Sequence, residues 1–282
     1  MEVLEAPAPN CTDGRKVVVA RRADRAFGMM PAVTGLPDMD EGVDDLFDES
    51  YARLYAPVLA DERSHAEAVA AARLADVAPG AEILDCPCGF GRHAFVLAAE
   101  GYRITGADRS LAQLEEAKRR RGTQALPRLV QADYRDLPFA DASFDAAFCL
   151  GGSLGYLPRA GDVCVLAEFR RVLRPGGALV FERTHRDSVA RSSQDRSWAR
   201  LPDGALLLRE RTFDLIAGTV ENHQLHIAAE GQRSSRRYLV HVHTATEWVA
   251  MVREAGFTQV ECFGDWERSP PALDAHLVVR AR

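Results

Sequence analysis

The 282-residue sequence has no apolar run approaching the ~18 residues that a membrane-spanning helix needs, and its first residues lack the apolar core of a secretory leader. No membrane partner is expected. The chain also lacks the basic excess of a nucleic-acid binder: 35 Lys and Arg stand against 41 Asp and Glu, a net charge of −6. Cysteine is sparse, with six residues scattered at 11, 86, 88, 149, 164 and 262. Cys149 and Cys164 sit in apolar surroundings, as small core residues do, and a reduced, cytoplasmic chain is the expectation. Cys86-x-Cys88 with His93 lacks the second ligand pair of a structural zinc site, so no metal is expected. No internal repeat or low-complexity block is visible. What remains is ordinary globular material, 47% hydrophobic and 27% charged, in a chain long enough for one large domain with insertions.

Residues 1–42 carry no sustained period and many Ala, Pro, Gly and Asp residues, which predicts a flexible N-terminal extension. Helical spacing of apolar residues over 44–60 and 62–77 predicts two helices in a 43–77 segment, ended by Pro79-Gly80. From 78 the period changes. Short apolar runs at 81–86, 102–107, 129–131 and 144–150 alternate with helical patterns at 92–100, 110–121 and 162–173. Arg174-Pro175-Gly176-Gly177 then turns the chain into a fifth strand at 178–182. Such alternation over 78–184 implies a parallel sheet with right-handed crossovers. Between 185 and 245, three alternating segments (206–213, 220–228 and 236–243) are separated by Ala217-Gly218 and Glu230-Gly231, the pattern of an inserted antiparallel meander. A helix opened by Thr246, then strands at 260–263 and 276–279, close the sheet over 246–282.

The chemistry concentrates between Ile83 and Ala94, where a buried strand runs into a Gly-rich turn and a helix. Gly89-Phe90-Gly91 lets a ligand approach the backbone without Cβ clashes, with amides facing a helix N-terminus. Asp108, at the end of the next strand, is placed to accept from two ribose hydroxyls. Asp133, ending the third strand, is placed to accept from an adenine amino group while the Tyr134 amide donates to the ring. Gly89-x-Gly91-x-x-Ala94 alone also fits a nicotinamide dinucleotide site, which leaves Asp85 and Asp133-Tyr134 unexplained.

Asp85 through Gly91, Gly106 through Ser110, Ala132-Asp133-Tyr134, Ser143-Phe144-Asp145 and Arg170 through Gly177 together resemble the class I S-adenosylmethionine-dependent methyltransferases, over 78–184 and again over 246–282. The resemblance implies an α/β, Rossmann-like, doubly wound seven-stranded sheet whose last strand is antiparallel, with S-adenosyl-L-methionine as cofactor. Pro87 stands where the family usually has Gly and removes one amide donor from the turn. The expected cofactor contacts are Tyr55, Asp85, Cys86, Pro87, Gly89, Gly91, Arg92, Asp108, Arg109, Asp133, Tyr134, Leu150 and Gly151. Arg92 suits the methionine carboxylate, whereas His93 reads as a packing residue.

The substrate is expected over the carboxyl ends of strands four and five, with Tyr51, Ser153, Tyr156, Glu182 and His243 as contacts. His185 and His241 are the candidate catalytic groups, as proton acceptors or anchors. For His241 and His243 the competing reading is an exposed sheet face; for Tyr51 and Tyr55, four apart, it is plain packing. The N-terminal helices and the meander would form the lid. The expected activity is methyl transfer to an N or O nucleophile of a small molecule, such as an amine, a sugar or a natural-product scaffold. Alternatives are methylation of protein or RNA, nicotinamide-dependent oxidoreduction, and a cofactor-binding protein without catalysis. A homo-oligomer is left open.

Overall fold

A computed structural model describes residues 46–48, 51, 61–120, 127–192, 196–201, 203–273 and 276–282. The first expected N-terminal helix, with Tyr55, lies almost wholly outside them, as does the 1–42 segment. The second is α1 (Asp61–Ala75). After it the chain alternates: β1 (Glu82–Asp85), α2 (Arg92–Ala99), β2 (Arg103–Asp108), α3 (Leu111–Arg120), β3 (Arg128–Gln131), β4 (Phe144–Cys149), α4 (Arg159–Val172) and β5 (Leu173–Thr184). The last core elements are α6 (Ala245–Glu254), β10 (Val260–Phe263) and β11 (His276–Ala281). They complete a seven-stranded sheet of order β10-β11-β5-β4-β1-β2-β3, in which β11 runs antiparallel to both neighbours.

Helices cover both faces of this sheet, so its central strands read as continuous apolar runs. On one face Phe169 of α4 and Trp248 and Met251 of α6 pack against Leu84, Ala147 and Phe181. On the other, Ala68, Ala71 and Leu74 of α1 and Leu97 of α2 pack against Ile83, Phe148 and Val180. No helix among the described residues is long and apolar enough to cross a membrane.

Some boundaries moved for physical reasons. Thr244, not Thr246, caps α6: its hydroxyl accepts from the Glu247 amide at 3.2 Å, and the Glu247 carboxylate accepts from the Thr244 amide at 2.7 Å. β5 outruns the expected 178–182 because β11 pairs along it as far as His276↔Thr184. The meander has a fourth strand. β6 (Arg196–Arg200), β7 (Leu206–Asp214), β8 (Thr219–Ile227) and β9 (Arg233–His241) form a separate antiparallel sheet, preceded by a short helix, α5 (Arg186–Ser192). β6 escaped notice because Arg-Ser-Trp-Ala-Arg is a charged edge strand whose Trp198 stays 72% exposed.

The meander is stitched to the core at its end. His241 N donates to Gly155 O at 2.7 Å, and Arg186 N to His243 O at 2.8 Å. A Cβ on Gly155 would lie 2.6 Å from the His241 carbonyl oxygen, so only glycine lets the two segments meet. Cys86, Cys88, Cys149 and Cys262 carry free thiols.

Candidate active site

β1 is flanked by β2 on one side and β4 on the other, so the connections leave it in opposite directions and open a crevice above the strand ends. A cavity of about 420 Å³ fills this crevice. Its first wall is the turn after β1. Gly106 of β2 has room for no side chain, since a Cβ would stand 3.0 Å from both Cys88 Sγ and Leu129 Cδ2. Cys88 therefore sits directly on β2 and donates its amide to Ala107 O at 2.8 Å. Gly91, at φ +79°, caps α2, and a Cβ there would stand 2.7 Å from the Phe95 ring. The Cys86–Pro87 peptide is cis.

Asp108 lies on the cavity wall and is 7% exposed. Its Oδ2 accepts from Gly89 N at 2.7 Å and its Oδ1 from Ser110 N at 2.8 Å. Burial pushes this carboxyl up to about 6, while the two amide hydrogen bonds hold it down. One acidic side chain thus orders both the glycine turn and the start of α3, and each oxygen keeps a lone pair for a further donor. Beside Gly89, the buried Gln113 Oε1 has no donor at all.

Arg63, Arg92 and His93 all converge on Glu67 of α1. His93 Nε2 is 3.0 Å from Glu67 Oε2, and Arg63 Nε is 2.7 Å from Oε1. Burial drives His93 down to about 4, so the neutral ring donates to Glu67. Burial opposes the Glu67 charge, yet these three partners hold its carboxyl well below the usual range. Arg92 reaches the cavity wall already paired.

At the far end, Leu150, Gly151, Gly152, Ser153 and Tyr156 follow β4, and Glu182, Arg183 and Thr184 end β5. Gly151 N donates to Glu182 Oε1 at 3.0 Å, and His276 Nδ1 lies 3.9 Å from Glu182 Oε2. The rim is aromatic. Phe47 stacks edge-on against Tyr51 at 4.9 Å and against Tyr156 at 5.6 Å between ring centres. Ser110 Oγ and Gln113 Nε2 hold the Phe47 carbonyl at 2.8 and 3.1 Å, and Arg236 of β9 reaches Asp48 at 2.7 Å. Core, N-terminal segment and meander therefore meet at this rim.

Of the expected cofactor residues, Cys86, Pro87, Gly89, Arg92, Asp108, Arg109, Tyr134, Leu150 and Gly151 line the cavity, as do Tyr51, Ser153, Tyr156 and Glu182 among the substrate residues. Burial raises the Tyr134 phenol well above its ordinary value, which keeps it neutral. Others are placed differently. Asp85 is fully buried and off the wall, and neither oxygen makes a well-formed hydrogen bond, the Ala94 amide favouring its charge only weakly against burial. Gly91 shapes the turn from behind. Asp133 is turned to Arg135, which donates to it from Nη2 at 2.7 Å, with Arg109 at 3.8 Å behind; Arg135 takes the wall position instead. Burial works against the Asp133 charge, but the Arg135 bonds hold its carboxyl below the usual range.

The three histidine expectations need correction. His185 is 4% exposed and off the wall, with Ser188 N 3.4 Å from its Nδ1, which leaves Nε2–H for the Ala272 carbonyl at 3.1 Å. His241 is half-buried and off the wall, and burial pushes its pKa down against the pull of Asp162. His243 lies 3.5 Å from the buried Asp162 and edge-on to Trp248 at 5.0 Å. His241 and His243 were read from strand alternation, which fixes a face but not what covers it, and His185 from its place after the fifth strand. The sequence reading missed Phe47, Arg63, Ser110, Gln113, Arg135, Arg183 and His276, all of which line the cavity. Of these, Ser110 ended one of the family-like motif segments and Arg183 lay one residue past the expected end of β5; the others had no local signal.

Fold and site together define an α/β protein with an adenosine-cofactor crevice at the switch point of a Rossmann-like sheet. Residues 83–177 match the family model described as a methyltransferase domain. The demethylmenaquinone methyltransferase of Clavibacter sepedonicus is 40% identical over 113 residues, which are 40% of this chain and 44% of that one. The chain spans less than half the length of the first curated relatives it matches. Among solved structures, the CcbJ methyltransferase from Streptomyces caelestis aligns with a TM-score of 0.73 at 21% identity, covering 84% of this chain and 97% of that one. The sugar N-methyltransferase KedS8 from Streptoalloteichus sp. ATCC 53650 aligns at 0.62 and 22% identity, covering 93% and 99%. The chain belongs to the class I S-adenosylmethionine-dependent methyltransferases.

Proposed function

We propose that this protein moves a methyl group from S-adenosylmethionine to a nitrogen or oxygen nucleophile of a small molecule. One observation carries the reading: a single cavity joins the Asp108 end to the Gly151–Glu182 end beneath a rim drawn from three parts of the chain. The residues fit the cofactor. Asp108 has lone pairs for ribose hydroxyls, and Gly89 leaves open space, the nearest atom to a Cβ there being Gln113 Oε1 at 3.8 Å. When bound, the cofactor supplies an electrophilic methyl whose leaving group departs as a neutral thioether. The protein's task is alignment and exclusion of water. Asp108, Tyr134 and the Gly89 turn hold one end, while Glu182 faces the acceptor and is the group placed to take its proton. The sugar N-methylation performed by KedS8 supports an amine or sugar acceptor.

Transfer of labelled methyl to amine, phenol and sugar acceptors tests this reading, alongside calorimetric titration with adenosylhomocysteine and NAD. Tight NAD binding with none for adenosylhomocysteine would overturn it. His185→Ala separates structure from catalysis: turnover within about twofold of wild type is expected, with about 1 kcal/mol of stability lost with the buried hydrogen bond. A hundredfold drop in turnover at unchanged stability would restore His185 as a catalytic group.

A further inference from the structure

Arg183 lines the far end of the cavity as a cation for which no carboxylate among the described residues forms an ion pair. It is only 9% exposed, and a guanidinium cannot shed its proton to escape burial. Its Nη1 donates to the neutral Gly152 carbonyl, its Nε is buried without an acceptor, and its Cζ lies 6.0 Å from the Tyr156 ring centre. Among the described residues no carboxylate forms an ion pair with it. The contrast with the rest of the wall is sharp: Arg63 and Arg92 share Glu67, and Arg109 and Arg135 share Asp133. A buried charge left without a counter-charge is costly, and such sites are completed by one.

Position says which ligand completes this one. Arg183 packs against Gly152 and Gly155 in the loop after β4, while the Asp108–Gly89 cradle belongs to the turn after β1. The preceding residue, Glu182, already brings a negative charge to this end of the cavity. A singly charged group on the ligand balances Arg183; a dianion would meet Glu182. We propose that the methyl acceptor carries a carboxylate and that Arg183 pairs with it. This rests on the methyltransferase reading and names the class of acceptor: a small acid bearing a methylatable amine or hydroxyl.

The test uses the full chain saturated with adenosylhomocysteine. Matched probes (benzoate and benzamide, 4-aminobenzoate and 4-aminobenzamide, salicylate and salicylamide) are titrated calorimetrically into wild type, Arg183→Gln and Arg183→Lys. In wild type at least one acid is expected to bind about tenfold more tightly than its amide. Arg183→Gln erases that preference and Arg183→Lys keeps part of it, while adenosylhomocysteine affinity stays within about threefold in both variants. A merely structural arginine would change stability without touching the acid-to-amide ratio. The proposal is overturned if no acid outbinds its amide in wild type, if Arg183→Gln keeps the preference, or if phenyl phosphate outbinds every acid. Loss of adenosylhomocysteine in Arg183→Gln alone would assign the residue to the cofactor and overturn the proposal too. Failure of wild type to bind adenosylhomocysteine would instead strike the cofactor reading itself, and this proposal with it.

Discussion

Asp108→Ala lowers adenosylhomocysteine affinity by about a hundredfold or more, read by calorimetric titration at pH 7.5. Two kinds of loss add up. The carboxylate is the proposed acceptor for the ribose hydroxyls, and hydrogen bonds to a charged group are worth about 1.5–3 kcal/mol each. It also holds the Gly89 and Ser110 amides at 2.7 and 2.8 Å, so its removal frees the turn that the ligand must approach. Asp108→Asn keeps the shape but sets an NH₂ against one of those amides, and falls between the two. The effect has a pH signature. Burial raises the carboxyl to about 6, and hydroxyl donors favour its ionised form, so affinity is flat above pH 7 and falls as pH drops through 6. Binding of Asp108→Ala within threefold of wild type would remove the residue from the cofactor site.

Asp85→Asn has the largest expected effect on stability. Asp85 is fully buried without a well-formed hydrogen bond to either oxygen; burial, with Asp108 nearby, raises it to about 7, the Arg92 charge and the Ala94 amide pulling the other way. The direction of the linkage follows. An acid whose folded value exceeds its unfolded value of about 3.9 carries no penalty below the unfolded value. The penalty grows as pH rises from about 4 to 7 and is complete above that. A rise of this size is on the order of 4 kcal/mol at pH 8. Asparagine cannot ionise, so its stability relative to wild type, from denaturant titrations, increases between pH 4.5 and 8 by a few kcal/mol. A difference that does not vary with pH would show that Asp85 is not a buried ionised acid in the cofactor-free protein.

How much of this was legible from the chain differs from one end of the cavity to the other. The cofactor end is built from short-range features. Gly89, Gly91 and Asp108 lie within 20 residues of one another, and the turn's positive φ values and the strand-end acid have local sequence signatures. The same locality gave the strand and helix order, while the antiparallel last strand came from the family resemblance. Asp133 shows where local reading stops: it lies two residues past the end of β3, and Arg135, two residues on, claims its carboxylate.

The acceptor end is non-local throughout. His276 reaches Glu182 across 94 positions because β11 pairs with β5, and Arg236 meets Asp48 across 188. No alternation pattern encodes such meetings, and the histidines of the meander were misjudged for that reason. His241 and His243 share a strand face with an outward look in sequence, yet Gly155 of the loop after β4 and Asp162 of α4 lie against them.

The sequence by itself determined the doubly wound sheet and the glycine turn with its strand-end acid, because backbone conformation and period are set by neighbours along the chain. Only the tertiary structure decided which charges remain unpaired at the cavity. Glu67 pairs with Arg63 and Arg92, Asp133 pairs with Arg109 and Arg135, and Arg183 has no carboxylate partner among the described residues. Charge compensation acts through space over a few ångströms, and the partners that supply it come from wherever the fold brings the chain.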